Sequence, residues 1–218
     1  MIVYEVKTNF TEHLLTILRD KATDTEDFRK ASLKLSEVLI TEGISKLPIK
    51  KVTIDTPVEN NITSITIQKE IIFLPILRAG LLLLPAAINA YSKGRIGFIG
   101  IKRNEETLKP YLYYFKSPIV RNGFYFILDP MLATGGTAYL TIEKLIEAGI
   151  KSENIFFISL ICSQEGVKML SQFKNIKIVT ASIDRELNNK GYILPGLGDA
   201  GDRFCSTENV EVIESYGN

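Results

Sequence analysis

Asp129-Pro130-Met131-Leu132-Ala133-Thr134-Gly135-Gly136-Thr137 follows the apolar run Phe124-Tyr125-Phe126-Ile127-Leu128. It leads into residues 137–148, where Ala138, Ile142, Leu145 and Ile146 share one helical face and Gly149 suits a helix C-terminus. Strand, glycine-bearing loop and helix in that order form the repeating unit of an α/β sheet. The alternation continues on both sides of this unit. Upstream, Ile71-Ile72-Phe73-Leu74-Pro75-Ile76-Leu77 reads as a buried strand followed by a helical run over 81–90, with a further strand at 95–101. Downstream come an apolar strand at 155–161, a helix near 164–173 and a strand near 176–181. Strands apolar on both faces and separated by helices predict a parallel sheet covered on both sides.

The periphery reads differently. Thr23 and Glu26 have capping-box spacing, and Phe28, Ala31, Leu35, Val38 and Leu39 recur at helical intervals up to Gly43. Segments 50–58 and 62–68 mix β-branched and polar residues and predict a short antiparallel arm. After Asp184 the alternation stops and glycines accumulate. The expectation is α/β, a mostly parallel sheet flanked by helices in one domain spanning residues 1–218. Its core lies at about 70–182, its small hood at about 1–48 and 183–218, and its β-arm at about 50–68.

Composition narrows the chemistry. Hydrophobic residues at 45% against 23% charged allow a substantial core and give no disorder signal. Lys plus Arg total 26 against 25 acidic residues, so no net field holds a polyanion, and nucleic acid is not an expected partner. Cys162 and Cys205 make neither a metal cluster nor a disulfide framework, which points to a reducing cytoplasm. His13, the only histidine, lies in a polar stretch far from the glycine-rich segments, so a histidine base is not expected. Residues 71–91 imitate a membrane span in length and apolarity. Pro75, Gly80 and Pro85 interrupt the run, and Arg78 near its middle would cost roughly 2.5–3.5 kcal/mol on insertion scales. A strand, turn and helix fit better, and no membrane association is expected. The opening Met-Ile-Val-Tyr-Glu carries no signal-peptide pattern.

The loop at 129–137 suits an anion. A helix N-terminus beyond a strand's carboxyl end offers free N–H groups, adjacent glycines admit a phosphate to the backbone, and Thr134 and Thr137 add hydroxyls. Asp129 would repel phosphate but can accept from sugar hydroxyls, so the set fits a ribose 5-phosphate. The plainer alternative is a strand-to-helix turn whose threonine caps the helix. No Gly-Lys-Ser/Thr ending occurs, which disfavours an NTPase. Gly196, Gly198 and Gly201 spell a dinucleotide fingerprint, but Pro195 precedes them and no βαβ unit can follow. That segment is better suited to meeting a flat heterocycle through main-chain groups.

The loop resembles the phosphoribosyl-diphosphate loop of type I phosphoribosyltransferases. Its single acid followed by Pro-Met-Leu-Ala-Thr-Gly-Gly-Thr resembles the uracil-specific family in particular. Pro75-Ile76-Leu77-Arg78-Ala79-Gly80 and the segment 191–203 resemble that family too, and the similarity in spacing runs from about residue 10 to 207. The resemblance implies transfer of phosphoribose from its diphosphate donor to uracil, with Mg²⁺ as cofactor. It implies Arg78, Arg103, Asp129 and Asp199 as catalytic residues. The donor would also touch Pro130, Met131, Leu132, Ala133, Thr134, Gly135, Gly136 and Thr137, while Ile193, Gly198, Asp199 and Ala200 would meet uracil. No metal-ligating cluster is expected. A GTP effector occurs among such relatives, and assembly as a homodimer or homotetramer is expected. Arg103 would sit on a loop at 102–110 that folds over the leaving diphosphate. This chain has Asn104 where the family usually has Asp, and Phe204-Cys205-Ser206-Thr207 where Leu-Phe-Gly-Thr is common. The alternatives are a phosphoribosyltransferase for a purine or orotate, and an RNA-binding regulator built on the same fold.

Overall fold

The structure, a computed structural model, describes residues 1–103, 110–208 and 210–211. In chain order the elements are β1 (Ile2–Glu5), α1 (Asn9–Arg19), α2 (Thr25–Ser45), β2 (Ile49–Ile54), β3 (Ile62–Ile67), β4 (Ile71–Leu77) and α3 (Leu84–Ala90). Next come β5 (Arg95–Ile96), β6 (Phe98–Arg103), β7 (Pro110–Lys116), β8 (Phe124–Leu128), β9 (Met131–Leu132) and α4 (Gly136–Glu147). The chain continues with β10 (Ile155–Ser163), α5 (Gln164–Leu170), β11 (Lys177–Asp184), β12 (Glu186–Leu187), β13 (Ile193–Leu194) and α6 (Ala200–Cys205). The side chain of Arg103 and residues 104–109, Asn104 included, lie outside the described residues, and with them most of the loop expected at 102–110.

The main sheet runs β1-β11-β10-β8-β4-β6-β7, parallel except for the β6–β7 pair. Every residue of β8 and β10 is buried, as strands covered by helices on both faces require, Ser159 and Ser163 of β10 included. Side chains alternate between those faces. Phe73, Phe126, Phe156 and Ile158 pack toward α1, α2 and α3, with Phe126 stacked on Phe156 at 4.7 Å between ring centroids. Ile72, Leu74, Tyr125, Ile127 and Phe157 face α4 and α5.

The stretch that imitates a membrane span is β4, a 3₁₀ turn at Ala79–Leu82, and α3. No helix among the described residues is long and apolar enough to cross a membrane. The arm forms as an antiparallel ribbon of β2 and β3. One expected detail is corrected. Asp24, not Thr23, caps α2 by accepting from the Asp27 N–H, while the Thr23 hydroxyl turns back to donate to the Ile17 carbonyl. The capping box belongs instead to α1, between Thr8 and Thr11. The first strand was not anticipated either: residues 2–5 join the sheet beside β11.

Candidate active site

β4 is flanked by β6 on one side and β8 on the other, and the chain visits β6 before crossing to β8. The order therefore reverses between β4 and β8, and ligands of open α/β sheets bind outside the strand carboxyl ends at such a switch point. Arg78 follows β4 there and Asp129 follows β8.

The loop after β8 is pinned from behind. The Asp129 N–H donates to the Ile158 carbonyl, the Leu160 N–H donates to the Pro130 carbonyl, and β9 pairs with β10 at Met131 and Leu132. The Ser163 hydroxyl donates to the Ala133 carbonyl at 2.6 Å. Gly135 then takes φ +83°, which a side chain would strain, and a Cβ there would lie 2.8 Å from the Met169 Cβ. It is the N-cap of α4, and among the described residues no side-chain hydrogen bond caps that terminus. The first N–H groups of α4 are therefore able to donate to an anion there. Among the described residues, the nearest atoms to a Cβ on Gly136 would be those of Pro110 and Thr134, at 3.4 Å or more, an ordinary van der Waals distance. Residues 131–138 and Asp129 line a hollow of about 80 Å³ at this point. Thr134 is exposed and Thr137 half-buried; neither caps the helix, contrary to the plainer expectation.

Asp129 is half-buried at the rim. Loss of water raises its pKa from the ordinary carboxylate range to about 7, against a smaller downward pull from the Met131 N–H. An acid so placed gains from hydrogen-bond donors or a cation brought by a ligand. Arg78 is exposed at the start of the 3₁₀ turn. Gly80 lets this turn press on β8, because a Cβ there would lie 2.2 Å from the Leu128 carbonyl oxygen. A Cβ on Gly201 would lie 3.6 Å from the Ala79 Cβ, which sets the glycine-rich segment against the other side of the turn. The three motifs quoted from the sequence thus converge.

A second hollow, of about 240 Å³, is lined by Met131, Ala133, Lys190, Gly191, Tyr192, Ile193 and Asp199. It brings Ile193 and Asp199 together with the loop. Gly198 and Ala200 do not line it; Gly198 is an exposed turn residue at φ +79°, and the Ala200 side chain is buried in the core. Asp199 spends one oxygen capping α6, by accepting from the Asp202 N–H at 3.0 Å. Lys190, Gly191 and Tyr192 were not singled out from the sequence, though Gly191-Tyr192 opens the quoted segment. Asn188 shapes their turn, its side-chain oxygen accepting from the N–H groups of both Lys190 and Tyr192.

The glycine-rich segment is also tied to the N-terminal helices. Arg203 is buried over the Phe28 ring and donates to the carbonyls of Leu18, Leu197, Asp20 and Thr23. Arg19 holds both oxygens of Asp184, at 2.7 and 2.6 Å. Burial disfavours the Asp184 anion, but hydrogen bonds from Arg19 and Ser182 outweigh it and hold this carboxyl below its usual range. Cys162 is no nucleophile, since full burial pushes its thiol up to about 12.

A family model described as uracil phosphoribosyltransferase matches residues 5–207. The chain belongs to the uracil phosphoribosyltransferase family. The uracil phosphoribosyltransferase of Fervidobacterium nodosum is 43% identical over 209 residues, covering 95% of this chain and 100% of its own. That of Limosilactobacillus fermentum is 41% identical over 199 residues, 90% of this chain and 94% of its own. A solved protein of Aquifex aeolicus superposes with a TM-score of 0.88 at 34% identity, over 96% of this chain and 100% of that one. A hypoxanthine phosphoribosyltransferase from Staphylococcus aureus shares the fold, with a TM-score of 0.50 at 12% identity over 83% of this chain and 84% of its own. For the uracil phosphoribosyltransferase family, then, the sheet, the uncapped α4 terminus and the glycine-rich segment are the parts to explain.

Proposed function

We infer that the chain transfers the 5-phosphoribosyl group of 5-phosphoribosyl 1-diphosphate to N1 of uracil, giving UMP and diphosphate. One observation carries the reading: the hollow lined by Ile193 and Asp199 shares Met131 and Ala133 with the hollow at the α4 N-terminus. A base in the first and a phosphorylated sugar in the second would be neighbours. Each part then has a role. The 5-phosphate accepts from the free α4 N–H groups and the hydroxyls of Thr134 and Thr137. Asp129 accepts from the ribose hydroxyls, whose donated hydrogen bonds stabilise its anion. Arg78 and Arg103 offset charge on the leaving diphosphate as the C1–O bond breaks, and C1 bonds to N1, whose proton passes to the diphosphate or to water. Ile193 and the backbone at Asp199, which line the base hollow, read the edge of the base, and the Asp199 side chain keeps one oxygen for the donor.

Among the described residues no three His, Cys, Asp or Glu side chains gather as a metal cage. Mg²⁺ nevertheless fits, because it keeps waters and phosphate oxygens and needs only a carboxylate or two from protein. Asp129 is the residue that would face it, and Mg²⁺ would supply charge neutralisation at the diphosphate. Exposed Ile49, Ile54, Val58 and Ile65 on the arm support self-association of the chain, which the mass in solution by light scattering checks.

The test is diphosphate release and nucleotide formation with uracil, cytosine, hypoxanthine and orotate in competition. Uracil should exceed the others by at least ~10⁴-fold, the scale expected when buried polar groups are wrongly paired. Efficient use of another base refutes the uracil reading.

A further inference from the structure

Around Gly196 the two peptides that flank one Cα are both held by a single ion pair. Arg19 ends α1, and its guanidinium bridges both Asp184 oxygens while one of its nitrogens also donates to the Gly196 carbonyl at 2.8 Å. The Gly196 N–H donates to the same carboxylate at 3.0 Å. Asp184 is fixed in turn by the Ser182 hydroxyl at 2.8 Å, and the adjacent Arg185 N–H donates to the Leu194 carbonyl at 3.0 Å. Gly196 itself stands at φ +66°, where a Cβ would fall 2.1 Å from the Ile193 carbonyl oxygen. The turn from Ile193 to Gly196 is therefore folded back on itself, with the peptides on either side of Gly196 immobilised from α1 and β11.

We propose that Arg19 and Asp184 are positioning residues for the base, acting through the Gly196 backbone to hold Ile193 on one side and Asp199 on the other in register with the heterocycle. Neither side chain lines the base hollow, so neither is a catalytic residue. An ion pair with its carboxylate side chain only 3% exposed is weak evidence for stability, because desolvation offsets most of the attraction. Its five hydrogen bonds converge instead on geometry. An edge read by main-chain groups has no side chain to readjust, and small misplacement at a reacting centre is costly.

The proposal rests on the uracil reading above, and the experiment separates the two. Arg19→Lys keeps the charge but cannot bridge two oxygens and the carbonyl together. It is expected to raise the KM for uracil at least tenfold, with donor affinity by calorimetry within twofold and kcat changed less than KM. The pair Arg19→Met with Asp184→Asn leaves no lone buried charge, should fold, and should show the same split. Amide exchange should quicken over 193–198 and not over 131–137. Unchanged uracil KM in folded variants, or an equal rise in the KM of both substrates, overturns the proposal. If the wild type uses another base, the uracil reading falls and the clamp is judged on that base's KM. If it uses none, equal exchange over 193–198 in Arg19→Lys and wild type overturns the clamp.

Discussion

The loop at 129–137 and the segment at 188–203 line one hollow, yet they are held in opposite ways. The loop is held by neighbours in the sheet, through backbone bonds to Ile158 and Leu160 and the hydroxyl of Ser163. The segment contains only the short β13 and α6; β13 pairs only with the two-residue β12, and the segment's long-range ties come from Arg19 and Arg203, across 177 residues to Gly196 and 185 to Leu18. A helix terminus makes an anion site by itself, because its free N–H groups are a product of the helix. A heterocycle edge needs irregular backbone held still, and irregular backbone must be held by something else. The two carboxylates repeat the contrast. Asp184 is answered by a guanidinium and is held below its usual pKa, whereas Asp129 rises to about 7 and waits for a ligand.

The largest expected effect follows from cutting the strongest of those ties. Arg203→Met keeps the bulk over Phe28 but removes every donor to Leu18, Leu197, Asp20 and Thr23. Unpaired buried acceptors and lost charged hydrogen bonds should cost about 3 kcal/mol or more of folding stability. Urea unfolding would read it, and a loss under 1 kcal/mol would mean the segment holds itself.

Next comes Gly198→Val. At φ +79° a β-branched residue is strained, and its Cβ would lie 3.4 Å from the Arg203 Cδ. A shifted base edge should lower kcat/KM for uracil about 10²-fold while donor affinity holds. Equal losses for both substrates would erase the distinction between the two regions.

Asp129→Asn probes the other side. Removing the charged acceptor should weaken the donor by ~1.5–3 kcal/mol at pH 8. The wild-type carboxyl binds its proton more tightly when folded, at about 7 against an ordinary 3.8. Between those values the folded chain holds a proton the unfolded chain has lost, so the group's contribution to stability falls as pH rises and the penalty is complete above 7. The variant should therefore be more stable than wild type at pH 8, by about 1–3 kcal/mol, and the gain should shrink toward pH 5. Its deficit in donor binding should narrow at pH 6, where the wild type is itself mostly protonated. A pH-independent difference in both would show that the charge of Asp129 is not what matters.

Legibility in the sequence follows the same division. The strand, loop and helix around Asp129 were readable because apolar runs, helical spacing and paired glycines all act within a short window. The ties to the base segment were not. Arg19 lies in an N-terminal stretch that the sequence assigns to no element, and Asp184 only marks where the alternation stops, so nothing local pairs them. Arg203 closes the quoted glycine-rich segment, and its type gives no hint that it is buried under α2. The α2 cap lies one residue beyond the Thr23 that capping-box spacing indicates, because Thr23, Asp24 and Thr25 are all good capping types, and only the chain's path from α1 decides among them. Met131 and Ala133 were read with the donor loop alone, since a role in two hollows at once is visible only when residues 190–199 fold onto them.

The smallest expected effect comes from the other arginine that reaches α6. Arg29 donates to the Phe204 carbonyl at 2.8 Å, and its guanidinium carbon lies 5.6 Å from the Phe204 ring centre, much as Arg203 lies over Phe28. Drawn as contacts, the two look alike. They differ in water: Arg29 is exposed, so when its bond is broken solvent replaces the donor at the carbonyl, whereas the Leu18 carbonyl bonded by Arg203 is buried. Exposed charged contacts contribute little once desolvation and side-chain entropy are counted. Arg29→Ala should therefore cost about 0.5 kcal/mol, a Tm shift of roughly 1–2 °C for a chain this size, and leave the uracil KM unchanged. A loss of more than about 2 kcal/mol would put the tie to α6 on the rim rather than in the buried corner, and would move the explanation of how the base segment is held from Arg203 to Arg29.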